Sequence, residues 1–256
     1  MASKPKRPTG YGLKAADHTR SRAIQIGLVA IVVLFAAGLI GYIVISNENK
    51  KDKKDAGNPE AVRVTSSELI TRDGTSDPKA VVSFYEDFLC PACGNLERAF
   101  GPTVSKLIDG GAIAADYHMV AILDRPQNDD YSSRAGAAAY CVADESIDAF
   151  RRFHTALFTP QLQPAETGPN FPDNNRLIEL AREAGAAGSI PNCINSGKYI
   201  EMVDGMAKAT DVHATPTMRI NGEDYRPSTP EALVSRIKEI VGDVPGLDSA
   251  ASPKTP

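Results

Sequence analysis

The stretch Val81-Val82-Ser83-Phe84-Tyr85-Glu86-Asp87-Phe88-Leu89-Cys90-Pro91-Ala92-Cys93 decides the fold of this 256-residue chain. Val81 to Tyr85 is rich in β-branched and aromatic residues and predicts a buried strand. The pair Cys90 and Cys93 follows at the start of a helical pattern. From 94 to 108 that pattern carries Leu96, Phe100, Val104 and Leu107 on one face. Pro91 suits the first helical position, which needs no backbone N–H donor. Pro102 predicts a kink, and Asp109-Gly110-Gly111 a stop. A second strand is expected over 112–123.

This placement gives the two sulfurs different chemistry. Cys90 stands where unpaired N–H groups and the helix dipole favour an anion. Its pKa should fall below the free-thiol value of about 8.5. Cys93 lies one turn further in and is more shielded. Cys90 is therefore the candidate nucleophile and Cys93 the thiol that resolves a mixed disulfide. A zinc half-site is the competing reading. It would want a second close pair of donors, whereas Cys141 and Cys193 are distant singletons and His118, His154 and His213 show no ligand spacing. A purely structural CxxC bridge is another, although a bridge across one turn stabilises little.

All four cysteines follow residue 89, an even count that fits an oxidising compartment. With Cys90 and Cys93 kept free for exchange, Cys141 and Cys193 are expected to pair as a structural bridge. A second redox site is the alternative. Closing that loop of roughly 53 residues is worth about 4 kcal/mol in the entropy treatment.

Further along, helices are expected over 132–144, 147–158, 174–184 and 191–208. A proline-rich loop over 159–173 reads as surface, with a substrate groove as the alternative. His213 to Ile220 reads as a turn into a strand, with Asn221-Gly222 as a hairpin signal and 223–226 as the return. Ser228-Thr229-Pro230-Glu231 starts a closing helix over 232–241. Helices on a mixed sheet make an α/β architecture.

Working outward, residues 23–45 carry no charge and only Gln25 is strongly polar. At about 1.5 Å per residue they would span roughly 34 Å, enough for a hydrocarbon core of about 30 Å. They read as one transmembrane helix. The basic segment 1–22 should remain cytoplasmic, and 46–60 is a lysine-rich solvated linker. The run is too long for a signal peptide and lacks a small-x-small site, which favours an uncleaved anchor. The folded domain should cover 61–242, with a helical insert over about 125–209, and 243–256 reads as a tail. Hydrophobic residues at 42% and charged ones at 23% exclude a rod or a wholly disordered chain. The part beyond the anchor holds 22 basic and 31 acidic residues, a poor footprint for nucleic acid.

Strand, CxxC, helix and a later Thr215-Pro216 before a strand together resemble the thioredoxin fold. The helical insertion, and Asp87-Phe88-Leu89-Cys90-Pro91-Ala92-Cys93, are similar to the DsbA-like thiol–disulfide oxidoreductases over about 78–242. The anchor and the insert bridge look like the membrane-anchored actinobacterial, in particular mycobacterial, members. The resemblance implies a cis Thr215-Pro216 bond beside a redox-active Cys90–Cys93 disulfide, with Thr215 and Pro216 binding substrate. It implies reduced exported proteins as substrates and a DsbB- or VKOR-type membrane reoxidant, with no cofactor and no metal. Three departures stand out. Ala92 occupies the place of a frequent histidine. Phe84 stands where many relatives have a buried acid six residues before the first cysteine. Glu86 could take over as proton shuttle, although a solvated strand-end residue is the expectation. These departures bear on oxidising strength and leave the exchange chemistry in place. A reductase or isomerase on the same fold is one alternative; an anchored peptide-binding or chaperone module, with the Thr215-Pro216 groove as its surface and both disulfides structural, is the other.

Overall fold

The structure is a computed structural model that describes residues 60–244. The anchor, the basic segment and nearly all of the linker and tail lie outside them. Among the described residues no helix is long and apolar enough to cross a membrane.

The centre is β2 (Val81–Glu86), buried along almost its whole length. It pairs in parallel with β3 (Ala114–Met119) and antiparallel with β4 (Thr217–Ile220). On the far side of β3 lies β1 (Val62–Val64), and on the far side of β4 lies β5 (Glu223–Asp224), giving the order β1-β3-β2-β4-β5. The sequence offered no signal for β1, because three residues are too few to show a period. The hairpin turn uses Asn221 and Gly222, both at positive φ (52° and 88°), as a tight two-residue connection requires.

Between β2 and β3 runs α1 (Pro91–Asp109), one helix that passes through Pro102 without a break. The insertion follows β3. It comprises a short 3₁₀ turn (Pro126–Asn128), α2 (Tyr131–Glu145), α3 (Ile147–Leu157), α4 (Asn174–Glu183), α5 (Ile190–Ser196) and α6 (Ile200–Ala209). The helix expected over 191–208 is two helices. Gly197 adopts φ 66° at the end of α5, a left-handed conformation that stops the helix at little cost. The chain closes with α7 (Pro230–Val241), whose Thr229 hydroxyl accepts from the Ala232 amide.

Most of α2 is buried, and its small residues allow close packing. A Cβ on Gly136 would lie 2.8 Å from a Val203 methyl on α6 and 3.1 Å from Met119 Cβ on β3. Val82 and Phe84 of β2, Leu107 of α1 and Ile113 just before β3 share one apolar core with Phe150, Phe153 and Leu157 of α3. The insertion is thus packed into the body of the domain. A disulfide between Cys141 and Cys193 (Cα–Cα 5.9 Å) joins α2 to α5.

Candidate active site

The chain leaves β2 at Glu86 and makes one tight turn before α1. The Cys90 amide donates to the Asp87 carbonyl (2.9 Å), and Cys90 is the N-cap of α1. Asp87 is fully buried and ties two segments together. Its carboxylate accepts from the Leu89 amide and from the Leu123 amide, both at 2.9 Å. Burial pushes this carboxyl up to about 6. From the proline-rich loop, Gln163 Nε2 donates to the carbonyls of Cys90 (2.9 Å) and Phe88 (3.3 Å). The 159–173 loop, read from sequence as surface, therefore braces the cysteine turn through a residue that reading did not single out.

Cys90 and Cys93 are both free thiols here, the dithiol form of the pair. Cys90 is 7% exposed and Cys93 is sealed from solvent. Cys90 Sγ lies 3.6 Å from the Thr215 carbonyl oxygen, and the Thr215–Pro216 bond is cis. The Cys90 thiol is lowered to about 5. The Cys93 thiol contributes most as a donor to the Cys90 thiolate, followed by the Thr215 hydroxyl and the amides of Cys93 and Ala92. Burial opposes these effects and loses. Cys93 moves strongly upward, first through burial and then through its bond to Cys90. The asymmetry expected from helix position is present, but the lowering of Cys90 comes mainly from the Cys93 sulfur donating to it and the raising of Cys93 mainly from burial.

Beside Pro216 lies a mostly apolar pocket of about 210 Å³, with Leu96, Ala214, Met218 and Tyr225 among its walls. His213 does not enter the site. Its side chain is 86% exposed and lies 3.1 Å from Asp211.

Behind the cysteines the structure corrects the sequence reading. Glu86 is not a solvated strand end but 1% exposed. Its Oε2 lies 2.9 Å from His154 Nε2, and His154 Nδ1 lies 3.8 Å from Glu97 Oε2. Burial pushes both carboxyls up to about 8 and lowers His154. Phe84 instead belongs to the core, stacked on Tyr117 at 5.2 Å between ring centroids. The donor types of Glu86, Glu97 and His154 would suit a metal. With both carboxyls held upward by burial and Glu86 within hydrogen-bond reach of the imidazole, the three side chains can also share protons among themselves. Sequence reasoning missed Glu97 and His154. The available signal was an acid four residues after Cys93, on the same helix face.

A family model described as Thioredoxin matches residues 70–239. The crystal structure of reduced DsbA from Mycobacterium tuberculosis is 73% identical, covering 75% of this chain and 98% of that one, with a TM-score of 0.74. The reduced form of a disulfide bond oxidoreductase (DsbG) from the same organism is 72% identical, covering 79% and 97%, also at 0.74. Among curated proteins, the serine/threonine-protein kinase PknE of Mycobacterium tuberculosis is 29% identical over 144 residues, 56% of this chain. The match spans only 25% of the length of that relative.

Proposed function

This chain belongs to the thioredoxin family, on its DsbA-like branch, and we propose that it is a thiol–disulfide oxidoreductase that forms disulfide bonds in exported proteins. The observation that carries this reading is the cysteine pair itself. Cys90, beside the cis Thr215–Pro216 bond, is held toward its thiolate by the Cys93 thiol and then by the Thr215 hydroxyl and the amides of Cys93 and Ala92, while Cys93 is buried and held toward its thiol. Stabilising the Cys90 thiolate stabilises the dithiol form, which makes the disulfide form the better oxidant.

A substrate thiolate attacks Cys90 Sγ of the oxidised pair. The Cys90–Cys93 bond breaks, and its electron pair goes to Cys93, which takes up a proton. The second substrate thiolate then attacks the substrate sulfur of the mixed disulfide. Cys90 leaves as the thiolate, the substrate has lost two electrons, and the protein is a dithiol. Pro216 and Thr215 border the path of the extended substrate, and the pocket beside Pro216 accepts an apolar side chain next to the substrate cysteine. Cys141 and Cys193 take no part and serve as a structural bridge.

The apolar run 23–45 supports a single-pass anchor, and its basic flank supports an N-terminus in the cytoplasm. The catalytic domain then faces the outside. A DsbB- or VKOR-type membrane protein would return the dithiol to the disulfide.

The test is oxidation of a reduced, unfolded substrate protein by the oxidised full chain. Wild type oxidises the substrate and Cys90→Ser does not. Equal activity in the variant removes the reading. A potential near the thioredoxin value, about −270 mV, would assign the pair to reduction instead. Client binding that survives loss of both thiols, without any oxidation, would favour a peptide-binding module.

A further inference from the structure

The helical insertion reaches the cysteine turn through one short, well-tied turn at the end of α3. The Thr159 carbonyl accepts from the amides of Leu162 (3.1 Å) and Gln163 (2.9 Å). The amide and hydroxyl of Thr159 in turn donate to the Ala156 carbonyl, at 3.0 and 2.7 Å. Arg98 of α1 holds this turn from the other side. Its Nη1 donates to the Phe158 carbonyl (2.6 Å) and to Gln163 Oε1 (3.3 Å). With its oxygen fixed in this way, the Gln163 amide turns its Nε2 toward the carbonyls of Cys90 and Phe88.

Only glycine at position 94 leaves room for that reach. Gly94 is buried in the first turns of α1. A Cβ there would collide with Gln163 Oε1, and would lie 2.8 Å from its Cδ and 2.7 Å from Arg98 Nη1. Gly94, Arg98 and Gln163 thus form one seat, with the reactive residue's own carbonyl at its end.

The placement has an electrostatic consequence. A carbonyl oxygen carries partial negative charge and disfavours a thiolate nearby, the more so where water is excluded. A donor aimed at that oxygen offsets it. The Cys90 carbonyl receives the Gly94 amide at 3.2 Å, and Gln163 adds a second donor at 2.9 Å. The side chain of Ala92, inside the motif, donates nothing. The titratable and charged groups around the Cys90 sulfur are Cys93 on α1, Glu86 at the end of β2, Asp87 in the turn, and Arg98 behind Gln163. Thr215 faces it as a neutral donor from the cis-proline loop. The bonds from Gln163 stabilise the dithiol form more than the disulfide form, because only the dithiol carries charge on Cys90.

We propose that Gln163 is a positioning residue for thiol–disulfide exchange: seated by Gly94 and Arg98, its amide offsets the Cys90 and Phe88 carbonyl dipoles and so favours the Cys90 thiolate, making the disulfide form a stronger oxidant. The inference rests on the exchange reaction proposed above and assigns part of its driving force to the helical insertion.

Three variants of the full chain test it. Gln163→Met keeps the length of the side chain and removes the donor. Gln163→Glu keeps the shape and sets a carboxylate against the two carbonyls, with Arg98 favouring its ionised form. Gly94→Ala suits a helix but displaces Gln163. Two quantities are read for each: the midpoint of Cys90 thiolate formation by ultraviolet absorbance, and the equilibrium constant of the cysteine pair with glutathione at neutral pH. In Gln163→Met the midpoint should rise by about half a pH unit, and the constant should move about threefold toward the disulfide form. Gln163→Glu should shift both further in the same direction. Gly94→Ala should match Gln163→Met, and combining the two should add nothing. A brace that only stiffens the turn would lower stability without this paired movement. Wild-type midpoints in Gln163→Met and Gly94→Ala would overturn the proposal, as would equal midpoints in Gln163→Met and Gln163→Glu. A wild type that holds a low Cys90 midpoint yet oxidises no substrate thiol would remove the proposed function instead, while the variants' midpoints would still decide the role of Gln163.

Discussion

Replacing Cys141 and Cys193 together by alanine removes the bridge between α2 and α5. The two residues are 52 apart in sequence. Releasing a loop of that length returns about 4 kcal/mol of conformational freedom to the unfolded chain. For a domain of this size that corresponds to a fall in Tm of about 8–16 °C. The native junction should nevertheless stay docked, because other contacts hold it. Glu145 accepts from the amides of Ala187 (3.1 Å) and Gly188 (3.0 Å). Asp144 accepts from the Tyr199 hydroxyl (2.6 Å) and from Lys198 Nζ (3.0 Å). The cost should therefore appear in global unfolding, read by urea titration of the variant and wild type under non-reducing conditions. Hydrogen exchange should show lower protection across the most stable core, with no selective opening of α5. Substrate oxidation at low temperature should be unchanged. A stability loss below about 1 kcal/mol, or opening confined to α5, would refute the entropic account. Loss of oxidation in the folded variant would instead make Cys141–Cys193 a second redox site.

Three other outcomes follow from the same geometry. Cys93→Ala removes the principal donor to the Cys90 thiolate; a hydrogen bond to a charged group is worth about 1.5–3 kcal/mol, so the midpoint of Cys90 alkylation should rise by about one to two pH units. The midpoint is the diagnostic quantity, because intrinsic thiolate reactivity falls as pKa falls and partly cancels the gain at neutral pH. In the oxidised protein, where neither Cys90 nor Cys93 titrates and Glu86 loses the part of its rise that comes from Cys90, burial still holds the native-state values of Glu86 and Glu97 above the unfolded value of about 4.5. Between those values the native state binds more protons, so their contribution to stability falls as pH rises; denaturant titrations across that window should show a flatter profile in Glu86→Gln/Glu97→Gln. Gln163→Ala leaves the Cys90 and Phe88 carbonyls without that donor and should cost about 1 kcal/mol in chemical denaturation, with faster hydrogen exchange at the cysteine turn.

Local chemistry was readable directly from the residues. An apolar β-branched run, two cysteines at helix spacing and Asn221-Gly222 each act within a few positions of themselves. They gave the central strand, the N-cap cysteine and the hairpin. The cis Thr215–Pro216 bond beside Cys90 came from the family resemblance, since nothing in the local sequence distinguishes it from a trans proline opening a strand. What stayed hidden depends on contact between distant segments. Glu86 sits at the end of a strand, a position that is commonly solvated. Only the arrival of α3, carrying His154 sixty-eight residues later, buries it. Gln163 lies in a loop whose composition gives no hint that it reaches the cysteine turn. The split of the expected 191–208 helix was locally visible in Gly197, but apolar periodicity on either side masked it.

Titration of Cys90 in the reduced full chain, followed by the ultraviolet absorbance of its thiolate, tests the central claim most directly. The arrangement of Cys93, Thr215 and the α1 amides around the sulfur predicts a midpoint near pH 5 and a thiolate fully formed by neutrality. A midpoint close to that of a free thiol, about 8.5, would contradict it.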